Sequence, residues 1–254
     1  MRFGDIHFHS ASAPGLILIM NQPVRNPEIH LHFIAVSSIY AARKSRELTS
    51  VFNEGLSIVD SKPLSTALGF LGFKCSNLRG TDFLRIAIAS ESGINQHFFI
   101  GSTPETLEQI KLKANLINPK FQIVGAISPS YKDNFEEDYA TWISEVKRTG
   151  ANVIWIGLGS PKQDFLASDL TNRFGIRTVA VGAAFDFFSE TVKEAPEIMR
   201  KLFLEWLYRL VTDPRRLWRR YLLGNFYFLF TFSKLLMQYR LKKASKDLGK
   251  LWRI

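Results

Sequence analysis

The feature that most restricts what this chain can fold into is a rhythm between positions 30 and 182. Short apolar runs are each followed by a polar or glycine-bearing turn and then by an amphipathic stretch. The runs at 30–37, 56–60, 97–101, 121–125, 153–157 and 178–182 read as strands, being short and bounded by turn residues. The stretches between them read as helices. Thr103 as N-cap, Pro104 at the first helical position and Glu105 in the first turn open one over 103–118, and Gly150 closes another over 134–149. Strand followed by helix, repeated, predicts right-handed crossovers around a mostly parallel sheet, an α/β Rossmann-like fold with flanking helices. Residues 7–19 read as a small hairpin and 21–27 as a loop.

Beyond Pro196 the pattern becomes helical, with an apolar stripe at Leu202, Leu204, Leu207, Leu210 and Val211, a stop at Asp213-Pro214, and a helix over 215–240. Charge divides the chain at the same place. Residues 193–254 carry 15 basic against 5 acidic side chains, the whole of the net +10, whereas residues 1–192 are balanced. We therefore expect a Rossmann-like domain over 1–192 and a basic amphipathic helical appendage over 193–254. Its apolar segment, 221–233, is closed by Arg219, Arg220 and Lys234, and its 13 residues fall short of the roughly 20 that span a bilayer. A helix bearing Phe226, Tyr227, Phe230, Leu235 and Met237 between basic flanks suits the headgroup plane of an anionic membrane; the alternative is that these aromatics complete the core. No nucleic-acid-binding motif accompanies the charge, so no nucleic acid partner is expected. A single cysteine, Cys75, excludes an intramolecular disulfide, and no export signal is legible, which together point to the cytoplasm.

In a parallel sheet ligands bind beyond the carboxyl ends of the strands, so the turns there are where chemistry is sought. Three share one grammar of strand end and helix start: Gly101-Ser102-Thr103-Pro104, Gly157-Leu158-Gly159-Ser160-Pro161-Lys162-Gln163, and Gly182-Ala183-Ala184-Phe185-Asp186. Their glycines let a ligand approach the backbone, and the helix N-termini offer free N–H groups to an anion such as a nucleotide diphosphate. Asp60 ends a strand, where it is either a general base or the N-cap of a helix beginning near Leu64. Asp82 poses the same choice, with capping favoured, and Arg79 is either a phosphate contact or an ordinary surface arginine. The acidic run Glu136-Glu137-Asp138 falls on an expected helix face. The pairs His7/His9 and His30/His32 lack a third ligand for zinc, so neither a metal site nor a cofactor is expected. The C-terminal arginines are then left to neutralise a leaving phosphate.

These residues resemble the WecG/TagA/CpsF family of bacterial glycosyltransferases, glycosyltransferase family 26, over roughly 30–230. Arg79-Gly80-Thr81-Asp82 is similar to its A-G-S-D segment, the Gly157 turn to GLGxPKQE, and Val181-Gly182-Ala183-Ala184-Phe185-Asp186 to VGGAFD. Val192-Lys193-Glu194-Ala195-Pro196, Leu204-Glu205-Trp206-Leu207-Tyr208-Arg209-Leu210 and Pro214-Arg215-Arg216-Leu217-Trp218-Arg219-Arg220-Tyr221 resemble VKRAP, LEWLYRL and PRRLWRRY. The resemblance implies an inverting, metal-independent transfer of a sugar from a UDP-sugar to a polyprenyl-diphosphate-linked saccharide. The setting it implies is the inner face of the plasma membrane, in surface polysaccharide synthesis, and it allows self-association. Asp60 takes the place of the family's base, Gln163 that of a nucleotide contact, and Arg209, Arg215, Arg216 and Arg219 are open to closing over the diphosphate. The chain departs from the pattern at Ala35, where the family has asparagine, and at Ser61, where it has glycine; Ser37 or Ser38 is left to supply the missing polar contact. Those departures motivate the alternative of a non-catalytic nucleotide-sugar-binding or membrane scaffold subunit.

Overall fold

The computed structural model describes residues 1–22, 29–130 and 136–251. The chain opens with a two-stranded hairpin, β1 (Arg2–Phe3) and β2 (Ile6–His7), followed by α1 (Ala13–Asn21). Six strands then form one sheet: β3 (His30–Ile34), β4 (Leu56–Val59), β5 (Gln96–Gly101), β6 (Gln122–Ile127), β7 (Val153–Gly157) and β8 (Arg177–Ala180), in the order β4-β3-β8-β7-β5-β6. Every pairing is parallel. The connections are helical: α2 (Val36–Lys44) and α3 (Arg46–Glu54) after β3, α4 (Lys62–Phe70) and α5 (Gly80–Ser90) after β4, α6 (Pro104–Ile117) after β5, and α7 (Glu136–Thr149) after β6. After β7 comes α8 (Lys162–Phe174), and after β8 come α9 (Ala184–Ser189), α10 (Glu197–Lys201), α11 (Glu205–Thr212) and α12 (Pro214–Leu251).

Alternation along the strands divides the core. Leu31, Phe33, Phe99, Trp155 and Val179 face α5, α6 and α9 on one side, and Phe98, Ile100, Ile154 and Ile156 face α7 and α8 on the other. Helices thus cover both faces of an all-parallel sheet, as the strand and helix rhythm implied.

The hairpin expected over 7–19 is corrected. The hairpin occupies residues 2–7, and 13–21 is a helix, because the Ser12 side chain accepts the Gly15 N–H (3.3 Å), Pro14 fits the first turn, and Leu16 and Met20 bury one face. Of the loop expected over 21–27, Asn21 ends α1, and 23–27 lie outside the described residues, as do the first two positions of the helix expected over 134–149. The first sheet strand stops at Ile34 rather than at position 37, since Ala35 is already the N-cap of α2. The stripe beginning at Leu202 is broken by Phe203, whose φ is +65°: Leu202 is the C-cap of α10, and Leu204 is the N-cap of α11.

The α12 helix lies along α2 and reaches the core. At Gly224 a β-carbon would stand 3.4 Å from the Ser37 Cα, so the close approach of the two helices leaves room there for no side chain larger than a methyl group. One and two turns further on, Phe228 stacks on Phe3 (5.3 Å) and Phe232 lies against Phe70 (6.2 Å). The opposite face stays in solvent, with Phe226 and Phe230 72% and 70% exposed. Among the described residues no helix is long and apolar enough to cross a membrane.

Candidate active site

Asp60 follows the last residue of β4, and its amide continues the ladder to the Ile34 carbonyl (3.1 Å). Its side chain does not cap the next helix, since Ser61 is the N-cap of α4. Instead Asp60 Oδ1 accepts the amide N–H of Gly80 (2.8 Å), the first residue of α5, and so lies at the positive end of a helix 20 residues away in sequence. Burial pushes its carboxyl above the ordinary range. The Gly80 N–H pulls the other way, Glu205 pushes up, and Arg209 and Arg79 pull down. A carboxylate with raised proton affinity at the carboxyl edge of a parallel sheet is suited to accept a proton.

The three glycine turns form one rim. Gly101 and Gly157 are partners in the β5/β7 register, and a β-carbon on Gly101, at φ +128°, would fall 2.6 Å from the Gly157 carbonyl group. Ser102 donates its hydroxyl to Asp186 Oδ1 (2.7 Å), tying the first turn to the third. Gln163 bridges the second and third: its Oε1 accepts the Gly159 N–H (3.0 Å), and its amide lies about 3.5 Å from where a Gly182 β-carbon would be. Phe185 is fully buried beneath this rim and leaves no room for a side chain on Gly157, so it forms the floor.

Behind the rim, β3 and α8 enclose a polar chain. Asp164 Oδ1 is 2.8 Å from His32 Nδ1, and His32 Nε2 is 2.6 Å from His30 Nδ1. Burial, then the neighbouring His32, lowers the His30 pKa to about 3 and keeps that ring neutral. Of the two histidine pairs, His30 and His32 serve this chain, His9 accepts the Ser57 amide (3.3 Å), and His7 is exposed.

From the other side the C-terminal helices close in. Glu205 of α11 accepts a hydrogen bond from Arg79 (3.3 Å) and forms an ion pair with Arg209 (3.3 Å). Glu194 takes Arg79 (2.8 Å), Arg85 (2.5 Å) and Arg200 (3.3 Å). Arg209 stacks over the Phe187 ring at 4.6 Å. Arg220 of α12 donates Nε–H to Ser37 Oγ (3.0 Å) in the first turn of α2, and burial lowers its pKa from the ordinary arginine value.

A match to the model of the glycosyl transferase WecG/TagA/CpsF family runs over residues 1–245, nearly the whole chain. The chain belongs to this family. Membership carries sugar transfer from a nucleotide-sugar donor to a saccharide acceptor, and the match extends beyond the 30–230 span of the motifs at both ends.

Within this WecG/TagA/CpsF fold, the structure distributes the expected residues unevenly. Gly101, Gly157, Gly159, Gln163, Gly182 and Asp186 come together at the rim, whereas Phe185 lies under it. Ser37 and Ser38 are buried in α2, where Ser37 meets Arg220. Arg79 is no surface arginine, because its side chain is 11% exposed and its guanidinium is held by two glutamates. Asp82 sits in the first turn of α5 beside Arg79 (3.7 Å) and Arg85 (3.5 Å). Arg215, Arg216 and Arg219 are exposed; Arg216 pairs with Asp213 (2.6 Å), and Arg219 lies over the Trp218 ring (5.1 Å). Sequence reading missed Arg220, although the inward positions Leu217, Gly224 and Phe228 share its helical face. It also missed Glu205 as a site residue, although Glu205 lies in the segment that resembles LEWLYRL.

Proposed function

We propose that this glycosyltransferase is an inverting enzyme. It moves a sugar from a UDP-sugar to a polyprenyl-diphosphate-linked saccharide at the inner face of the plasma membrane, in the synthesis of a surface or extracellular polysaccharide. The observation that carries the reading is the Asp60 carboxylate, raised in proton affinity and flanked by Arg79 and Arg209, at the same sheet edge as the glycine rim. Asp60 takes the proton of the acceptor hydroxyl. The acceptor oxygen forms its bond to the anomeric carbon as the bond from that carbon to the UDP oxygen breaks, UDP leaving with the electron pair and the configuration inverting.

Charge on the departing diphosphate is met by groups already in place, in a divalent ion's stead: the N-termini of α8 and α2, Arg209, and Arg220 beside Ser37. Gln163 and the rim glycines hold the nucleotide. In this reading the segment after residue 192 supplies Arg209 and Arg220 to the site and lays the exposed face of α12 on anionic lipid.

The test is UDP release from a panel of UDP-hexoses and UDP-N-acetylhexosamines with a synthetic lipid-diphosphate-linked acceptor. Asp60→Asn should cost about 10²- to 10⁴-fold in turnover, the usual contribution of a positioned base, with UDP still bound in calorimetry. Undiminished turnover in that variant, or loss of wild-type turnover in EDTA, overturns the proposal.

A further inference from the structure

We propose that Glu205 is a positioning residue for Asp60: by occupying the guanidiniums of Arg79 and Arg209 it stops either from closing on the Asp60 carboxylate, which stays able to accept a proton. The inference rests on Asp60 being the general base.

The difficulty it resolves is one of charge. Arg79 immediately precedes Gly80, whose N–H is bonded to Asp60, and the charge of Arg209 on α11 acts on the same carboxylate, pulling its proton affinity down. An aspartate beside two unoccupied guanidiniums forms charge-assisted pairs with them, and its proton affinity then drops below the ordinary range. Such a carboxylate is a poor base. A diphosphate site nevertheless needs those cations.

The observed arrangement separates the two demands. Glu205 Oε1 lies 3.3 Å from the NH2 group of Arg79 and 3.3 Å from that of Arg209. The other arm of Arg79, NH1, is held by Glu194 at 2.8 Å, with Asp82 at 3.7 Å. Glu194 is also bound by Arg85 and Arg200, so it has little remaining charge to offer. Among the described residues Asp60 is in none of these ion pairs, and the Gly80 amide is the one hydrogen-bond donor to its carboxylate. The charged groups around Asp60 are thus Glu205 and Arg209 on α11 and Arg79 at the head of α5, with Glu194, Asp82, Arg85 and Arg200 behind Arg79. Glu205 also raises the Asp60 pKa directly by its own charge. Arg209 keeps its Nε buried and unpartnered, so its pairing with Glu205 leaves one edge of the guanidinium for another anion.

The test reads Asp60 itself. In the full-length protein labelled with ¹³C at the aspartate carboxyl carbons, the Asp60 resonance is assigned by its loss in Asp60→Asn. Its titration midpoint in wild type should lie above the ordinary aspartate value. Glu205→Gln should move that midpoint, and the acid limb of the turnover profile with it, to lower pH, and should cost about threefold to tenfold in turnover at neutral pH as the base weakens. Arg209→Met should move the midpoint the opposite way. A midpoint that stays or rises in Glu205→Gln overturns the inference. Should that variant fail to fold, a midpoint that does not rise in Arg209→Met does so. Full turnover in Asp60→Asn would instead remove the base assignment while leaving the titration result to stand on its own.

Discussion

At the scale of single residues, the rim depends on atoms that are absent. A β-carbon on Gly157 would lie 2.5 Å from the Phe185 ring, which is fully buried and packed on Phe99 (5.1 Å between centroids). Overpacking of this kind costs about 1–3 kcal/mol. Gly157→Ala should therefore lower the melting temperature by about 2–10 °C and weaken UDP binding. Adding Phe185→Leu, which removes the obstructing ring, should recover most of the melting loss in differential scanning calorimetry. The glycines themselves are plain in the sequence. What each one avoids is not, because the obstructing group lies 28 residues away for Gly157 and 56 residues away for Gly101. Asp60 shows the same division: its place at a strand end is legible, whereas its bond to Gly80 depends on where the loop after α4 returns.

At the scale of elements, α6 and α12 mark the two extremes. Thr103 caps α6 by accepting the Thr106 N–H (3.2 Å), Pro104 starts it and Asn118 ends it, so propensity and capping placed this helix correctly from local residues alone. The α12 helix is recognisable as helical, but its orientation is set by α2. Gly224→Ala should be neutral or slightly stabilising, because its β-carbon meets only ordinary contact at 3.4 Å and alanine favours helix by up to about 1 kcal/mol. Gly224→Leu should separate the helices, breaking the Arg220–Ser37 hydrogen bond and the Phe228–Phe3 stack, and lower both thermal stability and UDP affinity. Equal UDP binding in the leucine variant would dissociate α12 seating from the nucleotide site.

At the scale of the whole molecule, charge and exposed apolar surface are gathered at the C-terminal end. Phe226, Leu229, Phe230 and Met237 are exposed on α12, as are Arg215, Arg219, Lys234 and Arg240. A helix of this kind binds an anionic surface through both its apolar side chains and its cations. Replacing Phe226 and Phe230 together by glutamate should reduce flotation with acidic vesicles at least about tenfold, since each buried phenylalanine contributes roughly 1.5–3 kcal/mol. The fold should be unaffected because neither ring is packed inside. Raising salt should weaken binding to acidic vesicles in the wild type. Unchanged flotation of the double variant would remove α12 from membrane contact.

By itself the sequence determined the α/β class, the parallel crossovers, the glycine turns at the carboxyl edge and the basic end, because periodicity, caps and composition are local and survive without coordinates. Its misreading of residues 13–21 arose where a short apolar run fits either period and burial against α5 decides. Tertiary structure alone decided the strand order, which face of α12 turns inward, and the pairing of Arg79 with Glu194 and Glu205 across 115 and 126 residues. Ion pairs between distant segments leave no spacing in the chain, because their geometry exists only once the sheet and its two helical layers have been assembled.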